Sequence, residues 1–364
     1  MAGEWVATAF LCASIAHWVL LDAAGIRVTL AKVRLYALGA ATVVFGRGAP
    51  RARRRVDGAA LGASRVEAST RLYFVAPGES EWDRVFGAGR RAALPLRLAA
   101  AVGREGAMLL ARDPGSVLVD APLTTVGLEA AGEIAALVAG ARGAARLAPE
   151  DADALAGPAS GLVASNLRRA LQTAAIGFSA RLRSGERVSV TSDLAEISGG
   201  LDALPLTPPS AAPVLPRVPA ALCSPETFLL DARRGRRPAR AAAARLDAFA
   251  AYALARPERA LVVCGHARWF RSFFDAFLPP SAASVARSSA VLPGGIVRCD
   301  LLYGRLPGGR AAYVVAPDSV RVVHRGFDGE AGGEAGARAP TRAPRSPNPH
   351  ASGGAAGPPK VHAN

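Results

Sequence analysis

Leu72-Tyr-Phe-Val-Ala-Pro-Gly-Glu-Ser-Glu-Trp-Asp83 is the stretch whose reading decides the fold. Its first four residues, Leu72 to Val75, form a short apolar run, the pattern of a buried strand. The run breaks at Ala76-Pro77-Gly78 and passes into the polar Glu79-Ser80-Glu81. The same construction, an apolar strand that ends and delivers polar residues, occurs twice more. Gly161–Ala164 leads into Ser165-Asn166-Leu167-Arg168-Arg169, and Leu261–Cys264 leads into Gly265-His266. Ligands of parallel α/β sheets bind outside the C-terminal strand ends, so these three tips are expected to meet at one site.

Further strands are expected at Ser116–Val119, Val188–Thr191, Ile296–Tyr303, Ala311–Val315 and Val320–Val323. Helical patterns occupy Thr124–Val138, Leu167–Phe178, Ala241–Leu254 and Trp269–Phe277. Strands alternating with amphipathic helices predict a three-layer α/β/α sandwich around a largely parallel sheet. Trp269, Phe270, Phe273, Phe274 and Phe277 read as the core face of the last helix. Ser165 is placed to cap the helix that starts near Leu167. The free N–H groups of that helix, with Arg168 or Arg169 in its first turn, suit an anion. As an ordinary helix residue Arg168 would be exposed.

Composition narrows the function. The 364 residues are 51% hydrophobic and 20% charged, enough apolar material for a substantial core. The net charge of +15 rests almost wholly on arginine, since Lys32 and Lys360 are the only lysines. Arginine beside abundant alanine, glycine and proline is what GC-rich coding favours, and no nucleic-acid partner is expected. Cys12, Cys223, Cys264 and Cys299 show no CxxC spacing, so neither a disulfide framework nor a metal site is expected.

Three regions are expected. Residues 1–66 read as a leader whose uncharged run Trp5–Leu21 is near the lower limit for crossing a bilayer. Arg27, Lys32, Arg34, Arg47 and the Arg51–Arg55 cluster follow the run, an order that would leave the bulk of the chain in the cytosol. The same arginine-rich stretch suits an organelle transit peptide, and the bland reading is an alanine-rich helix on a cytoplasmic domain, with Arg51–Arg55 a solvated linker. Residues 67–327 form the α/β domain, with Pro205–Pro219 an irregular excursion. Residues 328–364 have almost no large apolar side chains and are expected to be disordered, which makes His350 and His362 incidental.

Leu72–Asp83 resembles the signature that opens the histidine phosphatase (phosphoglycerate mutase-like) superfamily, a strand followed by Arg-His-Gly-Glu-Ser. Gly78-Glu79-Ser80 is kept, but Ala76 stands at the Arg position and Pro77 at the His position. Ser165-Asn-Leu-Arg-Arg169-Ala-Leu-Gln-Thr173 resembles the block that supplies the phosphate-binding arginine, here Arg169. Gly265-His266 resembles the second-histidine block, and Asp193-Leu-Ala-Glu196 the segment whose acid, here Glu196, is the proton donor. Asp120-Ala-Pro-Leu-Thr-Thr-Val-Gly127 matches a Pro-Leu-Thr-x-x-Gly element that precedes a helix.

The resemblance implies the superfamily's fold and a chemistry without metal or cofactor. In that chemistry the first histidine attacks phosphorus, while arginine and the second histidine hold the phosphate oxygens and the acid protonates the leaving group. Carried over here, Glu196 and His266 are the catalytic candidates, and Arg169, His266 and Gly78 the phosphate-binding ones. A proline ring has no lone pair for attack, and alanine cannot reach an oxyanion. The expectation is an impaired member that binds a phosphorylated small molecule or phosphoprotein. The alternatives are an active phosphomonoesterase or phosphomutase, and a membrane-tethered interaction module associated through residues 5–21. Activity would require rescue by another nucleophile or a misread motif. Two compensating base errors turn CGC CAC GGC, which encodes Arg-His-Gly, into GCG CCA GGC, which encodes Ala-Pro-Gly.

Overall fold

A computed structural model describes residues 30, 32–37, 66–87, 91–111, 113, 115–140, 147–198, 200–206, 214–224, 226–230, 242–305 and 311–328. The Trp5–Leu21 run, the Arg51–Arg55 cluster and residues 329–364 lie outside them, and with them the readings made there.

β1 (Val66–Val75) runs through the middle of the molecule. Successive side chains of a strand point to opposite faces, and β1 uses both. Leu72 and Phe74 enter one core with α7 (Ala242–Leu254) and α8 (Ala267–Phe277). Tyr73 and Val75 enter the other with α3 (Thr125–Val138) and α5 (Arg168–Gly177). A sheet buried on both faces between helices is the three-layer sandwich that the alternating pattern predicts. On α8 the rings of Trp269, Phe270, Phe273, Phe274 and Phe277 are all buried, and Phe270 stacks on Phe74 at 4.6 Å between centroids. Replacing one such ring by alanine costs about 3–5 kcal/mol.

The sheet order is β4-β3-β2-β5-β1-β6-β7, with β8 also pairing β6. Here β2 is Ser160–Ser165, β3 Val188–Thr191, β4 Phe228–Leu230 and β5 Ala260–Cys264. These four and β1 are mutually parallel neighbours. The last three, β6 (Ile296–Arg305), β7 (Ala311–Val315) and β8 (Arg321–His324), pair antiparallel. β7 follows β6 too closely in sequence for a crossover of about a dozen residues, so those two pair antiparallel, and β8 pairs β6 as well instead of its sequence neighbour β7. The parallel half is the half that carries the three polar tips.

One expected strand is absent. Ser116–Val119 is a buried irregular segment whose backbone groups are taken by side chains instead of a ladder. Glu105 Oε1 accepts from the N–H groups of Val117 and Leu118, and Arg168 Nη2 donates to the carbonyls of Ser116 and Val119. Backbone groups paired with side chains can be buried without forming a strand. Unanticipated were α1 (Glu81–Phe86), α2 (Leu94–Leu110), α4 (Pro149–Ala156), α6 (Ser179–Arg183) and β4. The helical segment at 32–37 lies against this part of the fold. Its Tyr36 packs with Val85, Ala101, Val117 and Leu118, and Lys32 is buried within the field of Glu105.

Candidate functional site

The register of the parallel half brings the tips together. Val75 of β1 and Ala164 of β2 both stand opposite Cys264 of β5, so the next residues outward come from three adjacent strands. From β1 these are Ala76 and Pro77, from β2 Ser165 and Asn166, and from β5 Gly265 and His266. Ala76 is buried in the core beside α8, and its N–H donates to the Gly295 carbonyl at 2.9 Å. Pro77 lies past that bond, where a missing N–H breaks no ladder. Its carbonyl accepts from Gly294 N–H at 3.2 Å.

Gly78 is kept for packing. A Cβ there would stand 2.5 Å from Gly127 Cα, and a Cβ on Gly127 would stand 3.0 Å from the Glu79 nitrogen. The chain leaving β1 thus crosses the start of α3 backbone on backbone. The crossing is pinned by Thr124 N–H donating to the Glu79 carbonyl at 2.9 Å and by Glu81 N–H donating to the Pro122 carbonyl at 2.8 Å. Thr124 Oγ1 caps α3 by accepting from Gly127 N–H, and Ser80 with Asp83 forms a capping box on α1. The Gly78-Glu79-Ser80 and Pro122-to-Gly127 elements are therefore one interlocked corner.

Arg168 and Arg169 divide their duties. Successive residues of a helix point about 100° apart. Arg168 points into the scaffold, 3% exposed rather than solvated. It donates through Nε to the Asp120 carbonyl at 2.7 Å, besides its contacts with Ser116 and Val119. Asp120 Oδ1 in turn accepts from Arg168 N–H at 2.7 Å. That contact takes the N-terminal role expected of Ser165. The helix begins at Arg168, Leu167 is its N-cap residue, and Ser165 Oγ reaches Leu167 N–H only at 3.4 Å.

Ser165 instead meets His266. Arg169 Nε donates to His266 Nδ1 at 3.2 Å, and His266 Nε2 lies 2.8 Å from Ser165 Oγ. Since Nδ1 accepts, the ring proton of the neutral imidazole sits on Nε2 and is donated to Ser165. Burial, with the charges of Arg169 and Arg245 nearby, holds the His266 pKa well below the ordinary histidine value. Both ring nitrogens are thus engaged, and the ring resists a further proton. Ser165 and His266 have the spacing of a Ser–His pair, but the third member is a cation. A cation in that place opposes the imidazolium that a general-base histidine has to form.

The rest of Arg169 is also occupied. Nη1 donates to the Asp202 carbonyl at 2.9 Å, and Nη2 stands 3.5 Å from Asp202 Oδ2. Asp202 is buried, and its Oδ1 accepts from Ser198 Oγ at 3.0 Å. Glu196, just past the end of β3, retains partial access to solvent, and Oε1 accepts from its neighbour Ile197 N–H at 2.8 Å. Desolvation raises its pKa to about 7, with Asp202 adding to the rise and Arg169 opposing it. Arg245, on α7, is buried, donates through Nη1 to the Ala195 carbonyl at 2.6 Å and leaves Nε unpartnered.

The structure therefore places Arg169 and His266 in direct contact, with Glu196 in the same electrostatic neighbourhood and Ala76, Pro77 and Gly78 on the adjoining tip. Asp202 and Arg245 were not anticipated. Asp202 sits in a single 3-10 turn, Leu201–Ala203, that follows two glycines in sequence and has no periodicity to mark it, and Arg245 reads as one arginine among many in an alanine-rich helix. Among the described residues no group of three or more His, Cys, Asp and Glu is placed to hold a metal ion. What the arrangement offers is a buried guanidinium and a neutral imidazole at a strand-tip site, flanked by one carboxyl that is half protonated near pH 7.

Comparison with known proteins gives the following. The sequence model of the histidine phosphatase superfamily (branch 1) matches residues 116–290, a span that holds Arg169, Glu196 and His266 and begins after the tip of β1. No curated protein matches the chain. A mycobacterial glucosyl-3-phosphoglycerate phosphatase solved with VO3 is 15% identical, covers 68% of this chain and 98% of its own, and has a TM-score of 0.33. A protein from Thermus thermophilus is 19% identical, covers 68% of this chain and 99% of its own, and has a TM-score of 0.30.

Proposed function

We propose that this chain, a histidine phosphatase superfamily protein through residues 116–290, is a catalytically impaired member that binds a phosphorylated ligand without turning it over. The observation that carries the reading is the state of its histidines. Pro77 stands where the resemblance puts the nucleophile, and His266 has Nδ1 taken by Arg169 and Nε2 by Ser165. No imidazole lone pair at the site faces open space. The loss of a covalent nucleophile by itself removes orders of magnitude in rate.

Binding follows from the remaining groups. A phosphate oxygen takes the place of Asp202 on Arg169, whose terminal nitrogens present a planar fork suited to it. His266, neutral with its proton on Nε2, donates to a second oxygen in place of Ser165. The Gly78 N–H, on the neighbouring tip, is the backbone donor. Glu196, whose pKa is about 7, is largely protonated below neutrality and then does not repel the anion. The ligand is a phosphorylated small molecule or the phosphoryl group of a protein.

The test has two readouts on the full chain. Inorganic phosphate titrated calorimetrically at pH 6.5 is expected to bind, and Arg169→Gln to weaken that binding at least tenfold. Hydrolysis of p-nitrophenyl phosphate is expected not to exceed that of His266→Ala. Turnover well above that control would refute the impairment and favour an active phosphomonoesterase or phosphomutase. Resequencing the codons of Ala76 and Pro77 tests whether the tripeptide is misread.

A further inference from the structure

Four arginines are buried among the described residues, and three of them have a carboxylate close by. Arg181 lies 2.7 Å from Glu186, Arg169 3.5 Å from Asp202 and Arg168 3.9 Å from Asp120. Arg245, only 5% exposed, forms no ion pair among the described residues. Its Nη1 is spent on the Ala195 carbonyl, and its Nε is buried without a partner. A buried charge that no counter-ion answers destabilises a fold, and such groups gather where ligands bind.

Topology sets where that charge stands. β4 and β5 both belong to the parallel half, so α7, which joins them, runs back along the sheet. The helix therefore begins at the end that carries the strand tips, and Arg245 is in its first turn. Through Leu246, Phe249 and Ala250, α7 packs in the core that Leu72, Phe74 and Ala76 enter. Arg169 comes from α5, which packs in the core on the other face. The two guanidinium groups thus approach the tips from opposite sides of the sheet. Both are felt at His266, whose pKa is held down by burial, then by Arg169, then by Arg245. The acids whose fields reach Arg245 are Asp193 and Glu196, the second of them half protonated near pH 7.

We propose that Arg245 is a second cationic contact of the phosphate site, supplying from α7 the guanidinium that the resemblance puts at position 76. The inference rests on the phosphate-site reading above and adds a residue to it. The bond to Ala195 fixes the planar group, and Nε donates to a phosphate oxygen. Phosphate is then the counter-ion of Arg245, held by Arg169 from one face and by Arg245 from the other. A cation kept for a ligand in this way lowers the stability of the protein when no phosphate is bound.

The test titrates the full chain calorimetrically with inorganic phosphate at pH 6.5. Arg245→Gln drops the charge and keeps an N–H donor. It is expected to weaken binding at least about tenfold, the share of one hydrogen bond to a charged group. Arg245→Lys keeps the charge and is expected to retain more of the affinity. A urea midpoint without phosphate separates binding from bracing. It should be equal or higher in Arg245→Gln, and saturating phosphate should raise it in the wild type and much less in the variant. A lower phosphate-free midpoint in Arg245→Gln, or failure of that variant to fold, overturns the proposal by making Arg245 a brace for Ala195. So does a lysine variant that binds no better than the glutamine one. Binding by Arg245→Gln within twofold of wild type, while Arg169→Gln loses its affinity, leaves the phosphate site standing without Arg245. If the wild type binds no phosphate, the site itself fails and this inference with it.

Discussion

Asp202→Asn should tighten phosphate binding, by an amount that follows from the Arg169 contact. Asp202 Oδ2 stands 3.5 Å from Arg169 Nη2, and both side chains are buried. Unit charges at that distance attract by about 1.2 kcal/mol in the dielectric of water, and about 4–5 kcal/mol at an effective constant near 20. A phosphate that displaces Asp202 must overcome at least the smaller figure, a factor of about eight in affinity. Asparagine keeps the shape and the Ser198 contact while removing the charge, so phosphate affinity should rise about tenfold or more. Calorimetric titration with inorganic phosphate at fixed ionic strength measures it. A second consequence can be read separately: Asp202 helps to raise the Glu196 pKa, so the substitution should lower it from about 7. Equal affinities, within twofold, for wild-type and Asp202→Asn would refute the competition between Asp202 and the ligand. No binding by either protein would remove the phosphate site itself.

Two further outcomes follow from the same geometry. Gly78→Ala puts a Cβ against the Gly127 backbone, where only a shift of α3 makes room. Urea denaturation should show a loss of about 1–3 kcal/mol, the usual range for overpacking, and a loss below about 0.5 kcal/mol would mean the crossing is loose. Glu196 gives a pH dependence of definite sign. Its native pKa of about 7 lies above the ordinary 4.5, so between those values the folded state holds a proton that the unfolded chain releases. Its contribution to stability is therefore fully present below pH about 4.5 and lost as pH rises through about 7. The decline across that window, on the order of 1–3 kcal/mol, should be absent in Glu196→Gln. An unchanged slope in that variant would show that Glu196 titrates normally.

The fold was legible where local pattern and burial agree. Val188–Thr191 and Ala311–Val315 are strands with the bounds their apolar runs suggest, Leu261–Cys264 gains only Ala260, and the aromatic spacing of α8 marks the core face correctly. Ser116–Val119 has the same apolar signature but gets its hydrogen bonds from Glu105 and Arg168, partners distant in sequence that no local pattern reveals. The contact of Arg169 with His266 depends on β2 and β5 being neighbours, which alternation suggests without fixing strand order. The division of labour between Arg168 and Arg169 is a matter of helix phase, set by which face of α5 meets the loop at Asp120. Asp202 and Arg245 carry no signal of their own. Their importance comes from a charge held next to another charge, a property of the folded chain alone.

The crossing of Gly78 over Gly127 bears on how such a protein diverges. Its steric requirement is indifferent to what stands at positions 76 and 77, so a lineage can discard the reactive histidine and still be held to glycine at both places by the need to fold. Ser80 and Thr124, as helix caps, are held in the same way. Foldability by itself is then enough to hold the outline of such a motif, whatever the reaction requires at positions 76 and 77. A search keyed to that outline would recover chains with and without the histidine, whereas one keyed to the histidine would pass over this chain. Motif residues of this kind are better weighed separately, those that the backbone path demands and those that the reaction demands, before an activity is assigned from their presence.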